Sequence, residues 1–192
     1  MCVIGICWKC VCTFECRSDN RFSLMMDCDQ VTEYMLHLPS TKYYFRKCLT
    51  ASQLLSYDII PDRINIFIVL LNSDPIGHFV LIYFANSSII IFDPAGTDLM
   101  HIDDNIKHFV MQRNLPILLN EKQLQGSNSC LCGVYCIFVS LYLSIGYSFK
   151  ELMSWFSSDP SWNDISIYRW FIKRVAHSVK PFGRARMLQC KI

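Results

Sequence analysis

From Cys130 to Phe149 the chain carries no charged side chain, and a polar segment, Gln125-Gly126-Ser127-Asn128-Ser129, stands directly ahead of this run. A stretch so apolar is either a helix buried on every side or a span of a bilayer. Gly133, Ser140, Ser144, Gly146 and the tyrosines 135, 142 and 147 interrupt it, which suits a buried helix from Cys132 to Ile145 better than lipid. No membrane partner is expected, and the remaining chain must be arranged around that helix. A domain of 192 residues buries roughly 70% of its unfolded surface, enough to fold without a disulfide or metal staple.

The elements around it follow from periodicity. Asp27 to Leu38 repeats Val31, Tyr34, Met35 and Leu38 on one helical face and stops at Pro39. Tyr43 to Ile60 is mixed, with a short helix expected within Thr50 to Tyr57. Ile64 to Leu71 is a continuous apolar run of the kind found in buried strands. After a turn-rich loop, Asn72 to Gly77, His78 to Phe84 and Ser88 to Phe92 read as a hairpin joined at Asn86-Ser87, closed by Asp93-Pro94-Ala95-Gly96. Asp103 to Asn114 is helical, Ile117 to Leu119 a short strand, and Ser148 to Glu151 has the capping-box pattern of another helix start. A last helix is expected from about Asn163 to Val179, with Ile165, Tyr168, Phe171, Ile172 and Val175 inward. The fold class is α+β: a central, mostly antiparallel sheet packed on the buried helix and flanked by further helices.

Three segments are expected: a cysteine-rich extension over 1–21, a single domain over 22–180 and a basic tail over 181–192. The amino terminus has cysteines, Trp8 and Lys9 where a signal peptide needs a clean apolar core, so no targeting segment is read there. Cys7, Cys10, Cys12 and Cys16 invite a zinc reading, but two immediately adjacent pairs are cramped for it, and packing or a loose extension is the simpler account. No metal is expected. Eleven cysteines in so core-rich a chain point to free thiols in a reducing intracellular compartment. From Arg169 onward the chain is basic with no acidic residue, and Lys173, Arg174, Arg184 and Arg186 are candidate DNA contacts, a solvated helix face and frayed end being the alternative.

Chemistry concentrates where the polar loop enters the apolar helix. A thiol at a helix amino end, as Cys132 would be, meets unpaired backbone N–H groups and the positive end of the dipole. Gly133 would leave room for a substrate backbone. Gln125, just ahead, could fold its amide over the same point, and an amide donor beside the backbone N–H of a nucleophile makes an oxyanion hole. Cys130 and Cys136 read as small buried hydrophobes, Cys136 facing the core with Val139 and Leu143. His78 opens one strand of the hairpin and Asp93 ends the other, so both side chains emerge at one sheet edge. Such a pair fixes the tautomer of a base, and a cysteine beside it completes a triad.

In the order Gly77-His78-Phe79, Phe92-Asp93-Pro94-Ala95-Gly96, Gln125-Gly126-Ser127-Asn128-Ser129 and Cys132-Gly133, the sequence resembles the adenain family of adenovirus-type cysteine endopeptidases. It resembles more loosely the SUMO and ubiquitin-like-protein proteases of the same clan. The resemblance covers roughly 43–175. It implies His78 as general base, Asp93 as the acid that orients it, Gln125 as oxyanion donor and Cys132 as nucleophile. The Gln-to-Cys spacing selects Cys132 over Cys130. Phe79 stands where the family has tryptophan, and Asp93 where adenain has glutamate.

The function implied is a cysteine endopeptidase of a virus or virus-like element, cleaving capsid or core precursors after small residues during virion maturation. A monomer in the virion and host cell interior, including the nucleus, is implied with it. Alternatives are a deubiquitinase or deSUMOylase acting on host conjugates, and an inactive nucleic-acid-binding virion protein. No cofactor is implied for the chemistry. DNA and a peptide are the candidate activators, but no cysteine occurs between Cys48 and Cys130, so the thiol through which adenain holds its activating peptide is missing.

Overall fold

β2 (Asn65–Leu71), β3 (His78–Phe84) and β4 (Ile89–Phe92) form the centre of a five-stranded sheet in the computed structural model, which describes residues 25–71, 77–85, 87–96 and 98–176. β1 (Phe45–Thr50) and β5 (Ile117–Leu119) complete it in the order β1-β2-β3-β4-β5. The two central pairings are antiparallel, Leu71 opposing His78 and Leu81 opposing Phe92. Both marginal strands pair parallel to their neighbours, so the sheet is mixed.

Both faces are covered, which is why the central strands read as unbroken apolar runs and not as alternating ones. Ile66, Ile68, Phe79, Leu81, Tyr83, Ile90 and Phe92 pack toward α1 (Cys28–His37), α4 (Cys132–Ser144), α5 (Phe149–Ser154) and α6 (Pro160–Phe171). The intervening Phe67, Val69, Val80, Ile82, Phe84, Ile89 and Ile91 pack toward α2 (Ala51–Leu54) and α3 (Asp104–Met111). α4 is buried around most of its circumference, from Cys132 through Ser140 without a break. No described helix is long and apolar enough to cross a membrane.

Local chemistry sets the helix starts. Asp27 and Gln30 close a capping box on α1, Ser148 and Glu151 close another on α5, and the Asp103 side chain caps α3. α6 begins earlier than its apolar pattern suggested, because the Asp159 carboxylate accepts the Ser161 N–H and Pro160 occupies the first turn. Its buried stripe is Asn163, Ile167 and Phe171, with Ile165 and Tyr168 only partly covered. A π-helical turn over Ile172–Ala176 follows, and Val175 is buried in it.

β1 is the element that periodicity missed. A register shift between Phe45 and Lys47 bulges the strand at Arg46, leaving Arg46 and Lys47 both exposed between buried Phe45 and Cys48. A bulge destroys the two-residue alternation by which a strand is recognised. The extension 1–21, the tail 181–192, the cysteines 7, 10, 12 and 16, and Arg184 and Arg186 lie outside the described residues.

Candidate active site

The register of the hairpin brings His78 and Asp93 together. His78 is the first residue of β3, paired with Leu71, and Asp93 follows Phe92, the last residue of β4. Nε2 of His78 lies 2.6 Å from Oδ1 of Asp93, the imidazole 22% and the carboxylate 7% exposed. The Cys132 thiol stands beside the His78 ring, near enough to act on its protonation. With Nε2 engaged by the carboxylate, Nδ1 is the ring nitrogen left to exchange a proton with sulfur. Burial works against charge on the imidazole, but Asp93 and Cys132 outweigh it and raise the pKa to about 10.

Asp93 is held by its own turn and by a residue that sequence reading passed over. Its Oδ1 accepts the Ala95 N–H at 2.8 Å. Its backbone N–H donates to Oδ1 of Asn120 at 2.8 Å, and the Asn120 amide donates back to the Asp93 carbonyl. Asn120 is 5% exposed. An asparagine after a short strand looks like an ordinary turn residue, and nothing in the sequence marks its partner 27 positions upstream.

The acid turn and the glutamine loop are zipped together. The Pro94 carbonyl accepts the N–H groups of both Leu124 and Gln125 at 2.9 Å. Gly96 has φ +75° and abuts the backbone of Lys122 and Gln123, where a Cβ would come within 2.4 Å of the Gln123 nitrogen. Gln125 is buried, its Nε2 donating to the Ser129 carbonyl at 2.6 Å, while its Oε1 has no hydrogen-bond partner among the described residues. A primary amide has two N–H donors, so this bond leaves one for another acceptor.

Cys132 opens α4 and is 7% exposed. Leu131 precedes it as the cap and supplies no side-chain acceptor to the first turn. The first N–H groups of such a helix are oriented toward whatever lies at its amino end. Gly133 does something other than expected: a Cβ there would meet Phe79 at 3.3 Å, Val31 at 3.4 Å and Met26 at 3.5 Å. It lets α4 pack closely on β3 and α1, and does not open a path for substrate. Cys136 is fully buried in the core with Val139 and Leu143, and burial pushes its pKa well up. Cys130 is half-buried.

The structure thus gathers His78, Asp93 and Cys132 at one point, with Gln125 in the loop that leads into the helix. Such a grouping can transfer a proton from sulfur to imidazole and hold the resulting charge pair. Lys173 and Arg174 are exposed on the π-helical turn. Among the described residues no cluster of histidine, cysteine or acidic side chains could hold a metal ion.

No family model matches the sequence, and no curated protein matches it. Among solved structures, AvrA delL154 with IP6 and CoA aligns over 62% of this chain and 47% of its own, at 17% identity and a TM-score of 0.38, too low to carry an argument. ChlaDub1 from Chlamydia trachomatis is similar over 86% of this chain and 96% of its own, with 9% identity and a TM-score of 0.62. At that identity the likeness is one of architecture: the chain shares with that structure an α+β fold, here a five-stranded mixed sheet flanked by helices.

Proposed function

We propose that this chain is a cysteine peptidase acting on protein substrates, with Cys132 as nucleophile, His78 as general base and acid, Asp93 as its orienting carboxylate and Gln125 as oxyanion donor. The observation that carries this reading is the single imidazole bonded to the Asp93 carboxylate with the Cys132 thiol beside it. A raised imidazole pKa favours the imidazolium that stabilises a thiolate beside it. Sulfur attacks the scissile carbonyl carbon, the C–S bond forms, and the carbonyl π electrons move to oxygen. The Cys132 N–H and the Gln125 amide receive that oxyanion. As the C–N bond breaks, His78 gives its proton to the departing amine. Water then attacks the thioester with His78 taking its proton, and the carboxylate product leaves the restored thiol. The chain's own residues suffice for every step.

Because Cys132 is 7% exposed, a slender, extended substrate strand fits it best, which supports cleavage after small residues such as glycine. The motif order supports a viral or virus-like endopeptidase that trims capsid and core precursors in the virion and host cell interior, the nucleus included. On this reading the exposed Lys173 and Arg174 contact DNA, and the protein acts as a monomer. A second reading, hydrolysis of ubiquitin or SUMO linkages, draws support from the likeness to ChlaDub1. Incubation with glycine-containing reporter peptides, with ubiquitin and SUMO fusions, and with virion precursor proteins separates the two readings. Cleavage unchanged in Cys132→Ala would reject both.

A further inference from the structure

Gln125 is flanked by two residues whose backbones are gripped from outside its loop. On one side the Leu124 carbonyl accepts the Asn163 amide at 3.1 Å. On the other, the Gly126 N–H donates to Oδ2 of Asp164 at 3.1 Å. The second carboxylate oxygen of Asp164 accepts the Tyr135 hydroxyl at 2.9 Å, and that hydroxyl also lies 3.2 Å from the Leu124 carbonyl. Tyr135 stands on α4, three residues after the proposed nucleophile. One carboxylate on α6 therefore joins the nucleophile helix to the glutamine loop.

Two features set this apart from an ordinary surface bond. The loop approaches so closely that a Cβ on Gly126 would stand 2.8 Å from Oδ2 of Asp164. Asp164 is half-buried, and burial raises its pKa although the bonds from Tyr135 and Gly126 pull the other way. A partly buried carboxylate is costly unless its oxygens are bonded, and here both are.

We propose that Asp164 is a positioning residue for the oxyanion donor: by holding the Gly126 N–H and the Tyr135 hydroxyl it fixes the backbone from which Gln125 presents its amide. Asn163 fixes the other flank. The inference rests on the role given to Gln125 above and adds the element that sets its geometry. The hydrogen bonds of Asp164 run to the glutamine loop and to α4. Its influence passes through the loop.

The test compares Asp164→Ala, Gln125→Ala and their double variant in three assays. Hydrolysis of a glycine reporter peptide and inhibition by a peptide glycine-aldehyde both require an oxyanion to be held. Alkylation of Cys132 by iodoacetamide requires only the sulfur. Removal of one oxyanion donor costs about 10²- to 10³-fold in kcat, and loss of its support should cost part of that, roughly 10-fold or more. For Asp164→Ala we expect that fall in kcat with KM little changed, a parallel weakening of the aldehyde, and alkylation within about two-fold of wild type. The double variant should be scarcely worse than Gln125→Ala, because residues acting through one group are not additive. Undiminished kcat and aldehyde affinity, a multiplicative double variant, or alkylation falling in step with hydrolysis would each overturn the proposal. Should Asp164→Ala fail to fold, Asp164→Asn keeps the shape and one acceptor, and a smaller loss confined to the two oxyanion assays is expected. A wild-type protein that hydrolyses no acyl substrate would defeat the proposed function itself, and this inference with it.

Discussion

Nε2 of His78 lies 2.6 Å from Oδ1 of Asp93, and the same ring has the Cys132 thiol beside it. Both neighbours favour the protonated ring, so the imidazole gains a proton on folding relative to its ordinary pKa of 6.5 and holds it up to about 10. A group whose pKa is raised by folding stabilises the fold fully below its ordinary pKa, and that contribution is lost as pH rises through the folded one. The window here runs from 6.5 to about 10.

Asp93→Asn removes the charge that contributes most to this shift while keeping the shape. The His78 ring resonance should then titrate near or below its ordinary value, and the decline of stability across that window should flatten. Hydrolysis should fall by about 10²- to 10⁴-fold, the usual contribution of a positioned acid–base group. NMR titration and denaturant unfolding between pH 6 and 10 check both. A wild-type His78 that titrates near neutrality would remove the physical basis of the pairing.

Three thiols near the start of α4 should behave differently. Cys136 is fully buried, its sulfur 3.5 Å from the Phe79 carbonyl, so it should resist iodoacetamide in the folded protein. Cys136→Ala should cost about 1 kcal/mol of stability, as for a small buried group, with turnover within two-fold. Cys130→Ala should leave turnover intact, whereas Cys132→Ala should abolish it. Mass-spectrometric mapping of the alkylated residue, set against residual activity, distinguishes them.

What could be read from the chain beforehand was whatever repeats or stands adjacent. The unbroken apolarity of β2, β3 and α4 announces burial on both sides of a sheet and around a helix. The hairpin register then makes the nearness of His78 and Asp93 a matter of counting. Asn120 and Asp164 were not legible. Asn120 acts through two long-range bonds to the Asp93 backbone and Asp164 through one to the Gly126 backbone, and backbone carries no sequence signal. Asp164 was invisible for a further reason: a lone acidic residue within an amphipathic helix normally faces solvent. Gly133 was read for the wrong contact, because its neighbours Val31 and Met26 lie a hundred positions away, on and just ahead of a different helix.

The exchange of bonds between Asn120 and the backbone of Asp93 makes a specific demand. Asn120→Ala takes from the buried Asp93 N–H its Asn120 acceptor, at about 1–3 kcal/mol, while the Asp93 carbonyl keeps the Gly96 N–H. A loss of about 1–3 kcal/mol in urea unfolding is therefore expected. Turnover should also fall, with the His78 titration displaced downward, since a shifted Asp93 bonds the ring less well. Asn120→Asp should be worse for stability at neutral pH, because it puts a second carboxylate against the Asp93 turn and replaces an amide donor with an acceptor. If Asn120→Ala lowers stability but leaves the His78 titration unmoved, the asparagine supports the fold without setting the carboxylate.

Gly96 tests whether the acid turn and the glutamine loop act as one unit. An L-residue at φ +75° costs roughly 1–2 kcal/mol by itself. Here the added methyl would also meet the Gln123 nitrogen at 2.4 Å and the Lys122 carbonyl carbon at 2.7 Å, backbone atoms that cannot swing aside as a side-chain end could. Relief requires the two segments to part, which strains the bonds from Leu124 and Gln125 to the Pro94 carbonyl. Gly96→Ala should therefore destabilise by more than the backbone penalty alone and lower kcat along with it. Hydrogen exchange should report faster opening at the Leu124 and Gln125 amides than at the β2–β3 ladder. The comparison variant is Gly146→Ala, at φ +103° with nothing within 4 Å of its Cβ, which pays the conformational cost without touching the site. If the two substitutions cost the same stability and neither alters turnover, the turn and the loop move independently.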